Sequence, residues 1–428
     1  MSADSQPSGR REDADLTPRK GFSPIPRMPS VRDPLLVLEE VQGETGMLLW
    51  QLLTDLETWS LGHVHSLFHP GKDVALLVDT SPEPIHAAVR ELARIWRTPD
   101  DEASTAALAD ACVAIWRWAE PREHLEVALQ FAERAARLQP ARSDRAATAG
   151  RFCRLRGEHH RGTMWLRRAL RIAQARRNYA EVAVAHLGLG NIEGALGHFA
   201  HAESHHGKAG KAAVRAGKRP LVGSAHHSLL LLKIRMERYD EAWVHAKDAL
   251  AAYRSDHPRF PLLAHDIALL WMHLGHFSAA HLVFERVLAL LKRRSDRLVV
   301  LANVARSAAA CGDRLRYERA AREIIRHLES GGPCTPFAPH YLAEAARTAG
   351  DWQRAEYAAE KLLELAPEGE YRERARTLLQ AIAARLPGDE DILPEEGGEI
   401  DQIREILLRR LEKPAAPGVD PGAVPPEQ

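Results

Sequence analysis

The sequence predicts an all-α chain built as a stack of antiparallel helix pairs, and three observations lead there. Strand signals are almost absent over 428 residues, while Ala, Leu, Arg and Glu dominate and apolar residues recur at helical spacing. A short pattern returns along the chain: a turn residue, an aromatic two positions on and a small residue five positions on. It reads Gly350/Trp352/Ala355, Gly275/Phe277/Ala280, Gly197/Phe199/Ala202 and Glu237/Tyr239/Ala242, with weaker copies at Glu123, Gly157 and Gly312. These seven anchors are separated by 34, 40, 40, 38, 37 and 38 residues. One helix–turn–helix unit of that length cannot bury its own apolar face, so its neighbours must stack on it.

Taken in order, residues 1–33 are polar and Pro-rich without an apolar h-region, which predicts a disordered tail and no signal peptide. Residues 34–102 predict a helical N-terminal cap or degenerate repeats. Met47, Leu49, Trp50, Leu53, Leu56 and Trp59 form an apolar stripe, and Thr80-Ser-Pro-Glu starts a further helix. Val74–Val78 reads equally as a strand or as buried helix. Residues 103–386 form the repeat region, closed by a capping helix over 370–386. Within it, small residues stand seven positions before the anchors (Gly150, Gly190, Ala268, Ala305, Ala343) and five after them (Ala128, Gly162, Ala202, Ala242, Ala280, Ala355). Small side chains at both places let two helices approach closely, with the aromatic filling the space beside them. Residues 387–428 are an acidic, Pro-rich tail. Near 399–412 it carries a short amphipathic helix (Ile400, Ile403, Leu407, Leu411) suited to docking on the stack or on a partner.

The glycine, aromatic and small-residue positions resemble those of the tetratricopeptide repeat family over about 103–386, best in the repeats anchored at 197, 275 and 350. The match is poor at 312, where Tyr317 takes the small-residue slot. Most units exceed the family's usual 34 residues by about one helical turn. In length they are similar to the units of bacterial peptide-sensing regulators and kinesin light chains. The resemblance implies a right-handed superhelical solenoid of about seven antiparallel helix pairs with helical caps, and a concave groove lined by the first helices. The position ten residues before the anchor lines that groove in the family, and here it holds His227, His265 and His340. The full set of groove candidates is Arg151, Arg154, Asn191, His227, His265, Arg306, His340, Glu344 and Arg347. Asn191 matches an asparagine of the family's two-carboxylate clamp, but Leu187 stands where that clamp needs lysine, so the clamp is not carried over.

The chain carries no Walker loop, GxSxG, HExxH or dinucleotide fingerprint, and the reading is of a protein that is not an enzyme and needs no cofactor. Its four cysteines are far apart with no CxxC pair, which fits a reducing, cytoplasmic setting and supplies no zinc framework. No apolar run is long enough for a membrane helix. His198, His201 and His205 lie at i, i+3 and i+7 with Glu203 and His206 beside them. Such spacing suits a transition metal or simply an exposed helix face. A Cys334/His340 dyad competes with an inert loop thiol.

Net charge is zero, yet residues 142–219 hold sixteen Lys or Arg against five Asp or Glu. Arg168 with Lys208, and Arg171 with Lys211, are equivalent positions in successive second helices and should stack into adjacent rows. At extended-chain reach, the acidic run from Asp389 to Asp401 falls short of them. The function read from all this is a non-catalytic scaffold or adaptor. It holds a protein or peptide partner, of acidic character, in the groove and on the basic surface. The alternative is a regulatory sensor that binds a signalling peptide or nucleic acid; sparse aromatics near the basic rows weaken the nucleic-acid case.

Overall fold

The computed structural model describes residues 28–60, 83–97, 101–254, 256–291, 294–331, 334–366, 370–386 and 398–412. Among these there is no strand. A short N-terminal turn, α1 (Val37–Glu40), precedes α2 (Gly43–Ser60) and α3 (Glu83–Arg97). Seven helix pairs follow. They are α4 (Asp101–Ala119) with α5 (Leu125–Leu138), α6 (Ser143–Leu155) with α7 (His159–Ala175), and α8 (Tyr179–Ala195) with α9 (Phe199–Arg215). Next come α10 (Arg219–Arg235) with α11 (Tyr239–Ala252), and α12 (Phe260–His273) with α13 (Phe277–Leu290). The last pairs are α14 (Arg294–Ala310) with α15 (Arg314–Glu329), and α16 (Phe337–Thr348) with α17 (Trp352–Leu365). Helix α18 (Glu370–Ala383) caps the stack, and α19 (Glu399–Leu411) lies beyond it.

Each predicted anchor is the residue that reverses the chain. Gly157, Gly197, Gly275, Gly312 and Gly350 have φ between 70° and 83°, and Glu123 and Glu237 adopt the same left-handed conformation at φ 62° and 57°. The following amide then reaches back to the carbonyl five residues earlier, as His198 N does to Glu193 O at 2.9 Å and Asp351 N to Ala346 O at 2.8 Å. This satisfies carbonyls that a helix end would leave bare. The same turn recurs where repeat two meets three (Arg177, φ 54°) and where three meets four (Gly217, φ 65°). From α7 to α10 the chain alternates 17-residue helices with three-residue turns. That alternation is why these units run longer than the usual 34 residues.

The small-residue seam is tight. A Cβ on Gly150 or on Gly162 would sit 3.1 Å from the other residue's carbonyl oxygen, so the two backbones touch there. Ala128, Ala202, Ala242, Ala280 and Ala355 are fully buried at the matching position. Tyr317, the exception, is buried too. Its hydroxyl donates to Asp351 of the next repeat at 3.2 Å and Arg354 lies over its ring. At this step α14 and α16 lie side by side, while α15 barely touches α16.

One part of the chain differs from expectation. Residues 28–33, assigned above to a disordered tail, lie against repeats one and two. Arg32 makes a two-pronged contact with Glu126 (2.7 and 2.9 Å) and reaches Glu158 (2.6 Å), and Arg161 donates to Ser30 O. The Glu40 carboxylate accepts from the first amides of α5, Glu126 N at 2.8 Å and Val127 N at 3.1 Å, where the helix dipole favours an anion. Helix α19 docks on the solenoid itself, against α13 and α12, burying Ile403, Leu407 and Leu411. Glu399 accepts from Trp243 Nε1 (3.0 Å) and Lys247 Nζ (3.1 Å), and Arg410 donates to Leu250 O. The helix thus takes the first of the two placements its apolar face suited, on the stack at repeats four and five. In the N-terminal cap, Leu48, Leu49, Leu52, Leu53 and Leu56 are buried and Met47 is exposed. Val74–Val78, the first 27 residues and most of the acidic run lie outside the described residues.

Two substitutions probe this framework by chemical denaturation. Ala280→Leu forces methylenes into the seam and is expected to cost about 1–3 kcal/mol, whereas exposed Ser278→Ala stays within about 0.5 kcal/mol. Glu237→Gly relieves a left-handed residue and is expected to stabilise by up to about 1 kcal/mol; a loss of stability there would refute the turn geometry.

Candidate functional site

The first helix of each pair contributes to an inner face, and charges at distant repeats act on one another across it. Arg154 on α6 feels the charge of Arg259, which sits at the entry to α12 three repeats on. His273 at the end of α12 feels Arg306, Glu344 and Arg374, drawn from α14, α16 and α18. The inner face is therefore concave.

At its N-terminal end Arg151 forms a two-pronged ion pair with Glu120 and packs 4.4 Å over the Phe152 ring. Arg154, one turn on, has no such partner among the described residues. Burial lowers its pKa to about 10, and the charges of Arg151 and Arg259 push the same way. Asn191 is half-buried on α8.

The middle of the face holds a continuous polar row. His227 Nε2 lies 2.6 Å from Asp266 Oδ2, Asp266 Oδ1 lies 2.8 Å from His265 Nδ1, and His265 Nε2 lies 3.0 Å from Asn303 Nδ2. One set of protonation states satisfies all three contacts: both histidines donate to the carboxylate, and His265 accepts from Asn303. His227, His265 and His340, read from the sequence as groove positions, are covered by their neighbours. They are 4, 8 and 6 % exposed, because adjacent first helices close over them. Burial pushes the Asp266 carboxyl upward, but the hydrogen bonds from His227 and His265 outweigh it and hold the group well below the usual carboxylate range.

At the C-terminal end Arg306 pairs with Glu344 (3.0 Å) and lies over the Tyr341 ring, with His340 Nε2 3.5 Å from the same carboxylate. Arg347 donates to Leu386 O at 3.3 Å. His273 is exposed at the end of α12, and its ring stacks on Tyr239. Arg306, His340 and Glu344 thus form one cluster, while Arg347 is spent on the C-terminal cap.

The basic segment is less charged in space than along the chain. Arg145, Arg151, Arg156 and Arg161 pair with Asp110, Glu120, Glu126 and Glu133, acids that precede the segment. Of the expected rows, Lys208 and Lys211 are exposed on α9, while Arg168 and Arg171 are half-buried and Arg168 donates to Pro140 O at 3.3 Å.

The histidine stripe is rearranged as well. His198 and His201 meet Glu193 from α8, at 2.8 and 3.9 Å, while His205 turns to His186, with Nδ1 atoms 2.9 Å apart. His206 is buried against Gly190, where a Cβ would collide with its ring. Glu203 instead reaches Lys233 (2.8 Å), which is 1 % exposed and held from the other side by Glu241 at 2.9 Å. The Cys334 thiol donates to Thr335 O and burial raises its pKa to about 11, so it offers no thiolate beside His340. Among described helices none is long and apolar enough to cross a membrane.

Sequence reasoning missed Arg259, Asp266, Glu193 and Lys233. Their partners lie 30 or more residues away or on an adjoining helix, and no local pattern marks them.

The polar row makes a pH-resolved prediction. A carboxyl whose folded pKa is depressed adds stability that is complete above its unfolded pKa, about 3.9, and is lost as pH falls through the folded value. Asp266→Asn is expected to cost about 1.5–3 kcal/mol in urea denaturation at neutral pH. The gap to wild type should shrink as the solution is acidified below about pH 4; a pH-independent gap would refute the ionised, doubly bonded carboxylate.

No protein-family model and no curated protein matches the chain. Solved structures do resemble it. A tetratricopeptide repeat protein from Parabacteroides merdae is 14% identical, with 64% of this chain and 98% of that one covered at a TM-score of 0.42. The Rap protein complexed with competence and sporulation factor is 11% identical, with 82% and 99% covered at 0.48. The Cut9–Hcn1 assembly of the APC/C is 12% identical, with 81% and 65% covered at 0.48. With its left-handed anchors, buried small-residue seam and stacked antiparallel pairs, the chain has a tetratricopeptide-like fold.

Proposed function

We propose that the chain is a non-catalytic scaffold or adaptor whose inner face receives an acidic segment of a protein or peptide partner. One observation carries this reading. Arg154 is a half-buried guanidinium on the inner face; no carboxylate pairs with it among the described residues, and the charges acting on it, Arg151 and Arg259, are both positive. Holding a cation away from water without an anion is costly, and an incoming carboxylate offsets that cost. Arg151, Arg306 and Arg347 already have partners, so Arg154 is the group an acidic segment gains most by meeting. Asn191, on the next first helix, supplies a neutral amide nearby.

A second reading rests on the outer face. Arg167, Arg176, Arg177, Lys208 and Lys211 are exposed and no carboxylate pairs with them among the described residues. They suit an acidic polymer, including a nucleic-acid backbone, held without sequence preference.

Fluorescence anisotropy with a labelled oligoglutamate peptide, at low and moderate salt, separates the two. Arg154→Glu is expected to weaken binding about tenfold or more, and Lys208→Glu with Lys211→Glu much less. If the outer pair governs binding and Arg154 does not, the inner-face reading fails and the outer one stands.

A further inference from the structure

Two positions meet between the first and second helix of every repeat: eleven residues before the anchor and eight after it. Five repeats fill them with apolar residues, namely Cys112 and Phe131, Ala146 and Trp165, Ala264 and Val283, Leu301 and Ala320, and Pro339 and Ala358. Repeats three and four place histidine at both. His186 and His205 bring their Nδ1 atoms to 2.9 Å, and His226 and His245 bring theirs to 3.2 Å. Two imidazoles at a packing position forgo the apolar burial that the other repeats obtain there, so a compensating interaction is called for.

A third position divides the two repeats. Eleven residues after the anchor, repeat three has Lys208 and repeat four has Asp248. Asp248 Oδ2 lies 3.4 Å from His226 Nδ1, and the three donor atoms of His226, His245 and Asp248 all lie within 4.8 Å of one another. A tetrahedral ion with bonds of about 2.0–2.1 Å spaces its ligands about 3.3 Å apart, which the 3.2 and 3.4 Å separations match.

We propose that His226, His245 and Asp248 form a binding site for Zn2+ or a similar divalent transition-metal ion, with its fourth position open. Two imidazoles and one carboxylate suit such an ion better than Mg2+ or Ca2+, which prefer all-oxygen shells. The ligands stand on α10 and α11, which pack against each other along their length, so the site is held by rigid elements. Asp248 also lines an open cleft with Val214, Gly217, Val222 and Ala251. In repeat three the Lys208 ammonium stands where the carboxylate would be, and its charge disfavours a second cation between His186 and His205. Glu193, His198 and His201 make another donor group, but both of its histidines are exposed (56 and 77 %), so binding there must freeze two free rings.

The test is calorimetric titration of chelator-stripped, full-length protein with ZnCl2, joined to the visible absorption of bound Co2+, which reports tetrahedral nitrogen and oxygen ligation. Wild type is expected to bind. Asp248→Lys, which copies the residue repeat three already accepts, is expected to weaken binding about tenfold or more and remove the Co2+ bands. His245→Ala should do the same, while His198→Ala with His201→Ala should leave both readouts unchanged. A wild-type protein that takes up no Zn2+, an Asp248→Lys variant that binds as wild type does, or loss only in the His198/His201 variant overturns the proposal.

Discussion

The structure depends on the close contact of two helix backbones at one small residue per repeat. Gly150 against Gly162 shows the limit, each in reach of the other's carbonyl oxygen. The small residues at the seam add little apolar area themselves, and a single pair leaves its outward apolar side chains uncovered, so the pairs must stack to be stable. The left-handed anchor makes the contact possible, because it returns the chain within three residues and ties off the helix carbonyls at once. Where the seam holds Tyr317 instead, the structure shows the alternative. The ring leaves the pair, reaches Asp351 in the next repeat, and the stacking partner of α14 becomes α16.

That constraint explains which parts of the structure were legible. Turn, aromatic and small residue sit within six residues of one another, so the pattern is local and all seven anchors could be read, including two glutamates in a glycine position. Glutamate is tolerated there because the turn faces solvent and only the left-handed strain opposes it. The polar network was not legible, because its partners are set by stacking. Arg161 finds Glu133 across 28 residues and Arg32 finds Glu126 across 94. Counting charge along the chain therefore overstated the basic surface, since most of the acids that neutralise repeat two belong to the repeat before it. The docked position of α19 was open for the same reason: Ile403, Leu407 and Leu411 declare an apolar face, and only the stack supplies the surface that covers it.

The inner face follows from the same economy. With alanine along the seam, much of the remaining contact between successive first helices is polar: His227 to Asp266, His265 to Asn303, and Arg306 to Glu344. Each link joins one repeat to the next, so these groups set the angle between repeats and are committed to the fold before any partner arrives. A buried ion pair contributes little net stability, because desolvation offsets its attraction, but removing one member leaves the other exposed to the full penalty. Such a row tolerates few changes and holds the face rigid.

Rigidity gives the exceptions their meaning. Among the described residues the charges that act on Arg154 are Arg151, already paired, and Arg259. A histidine pair standing where other repeats pack Phe131, Trp165 or Val283 cannot swing away from its neighbour, since both rings project between packed helices. In a flexible protein either feature would dissipate into solvent. Here the stacking that hides most charges holds these few in place.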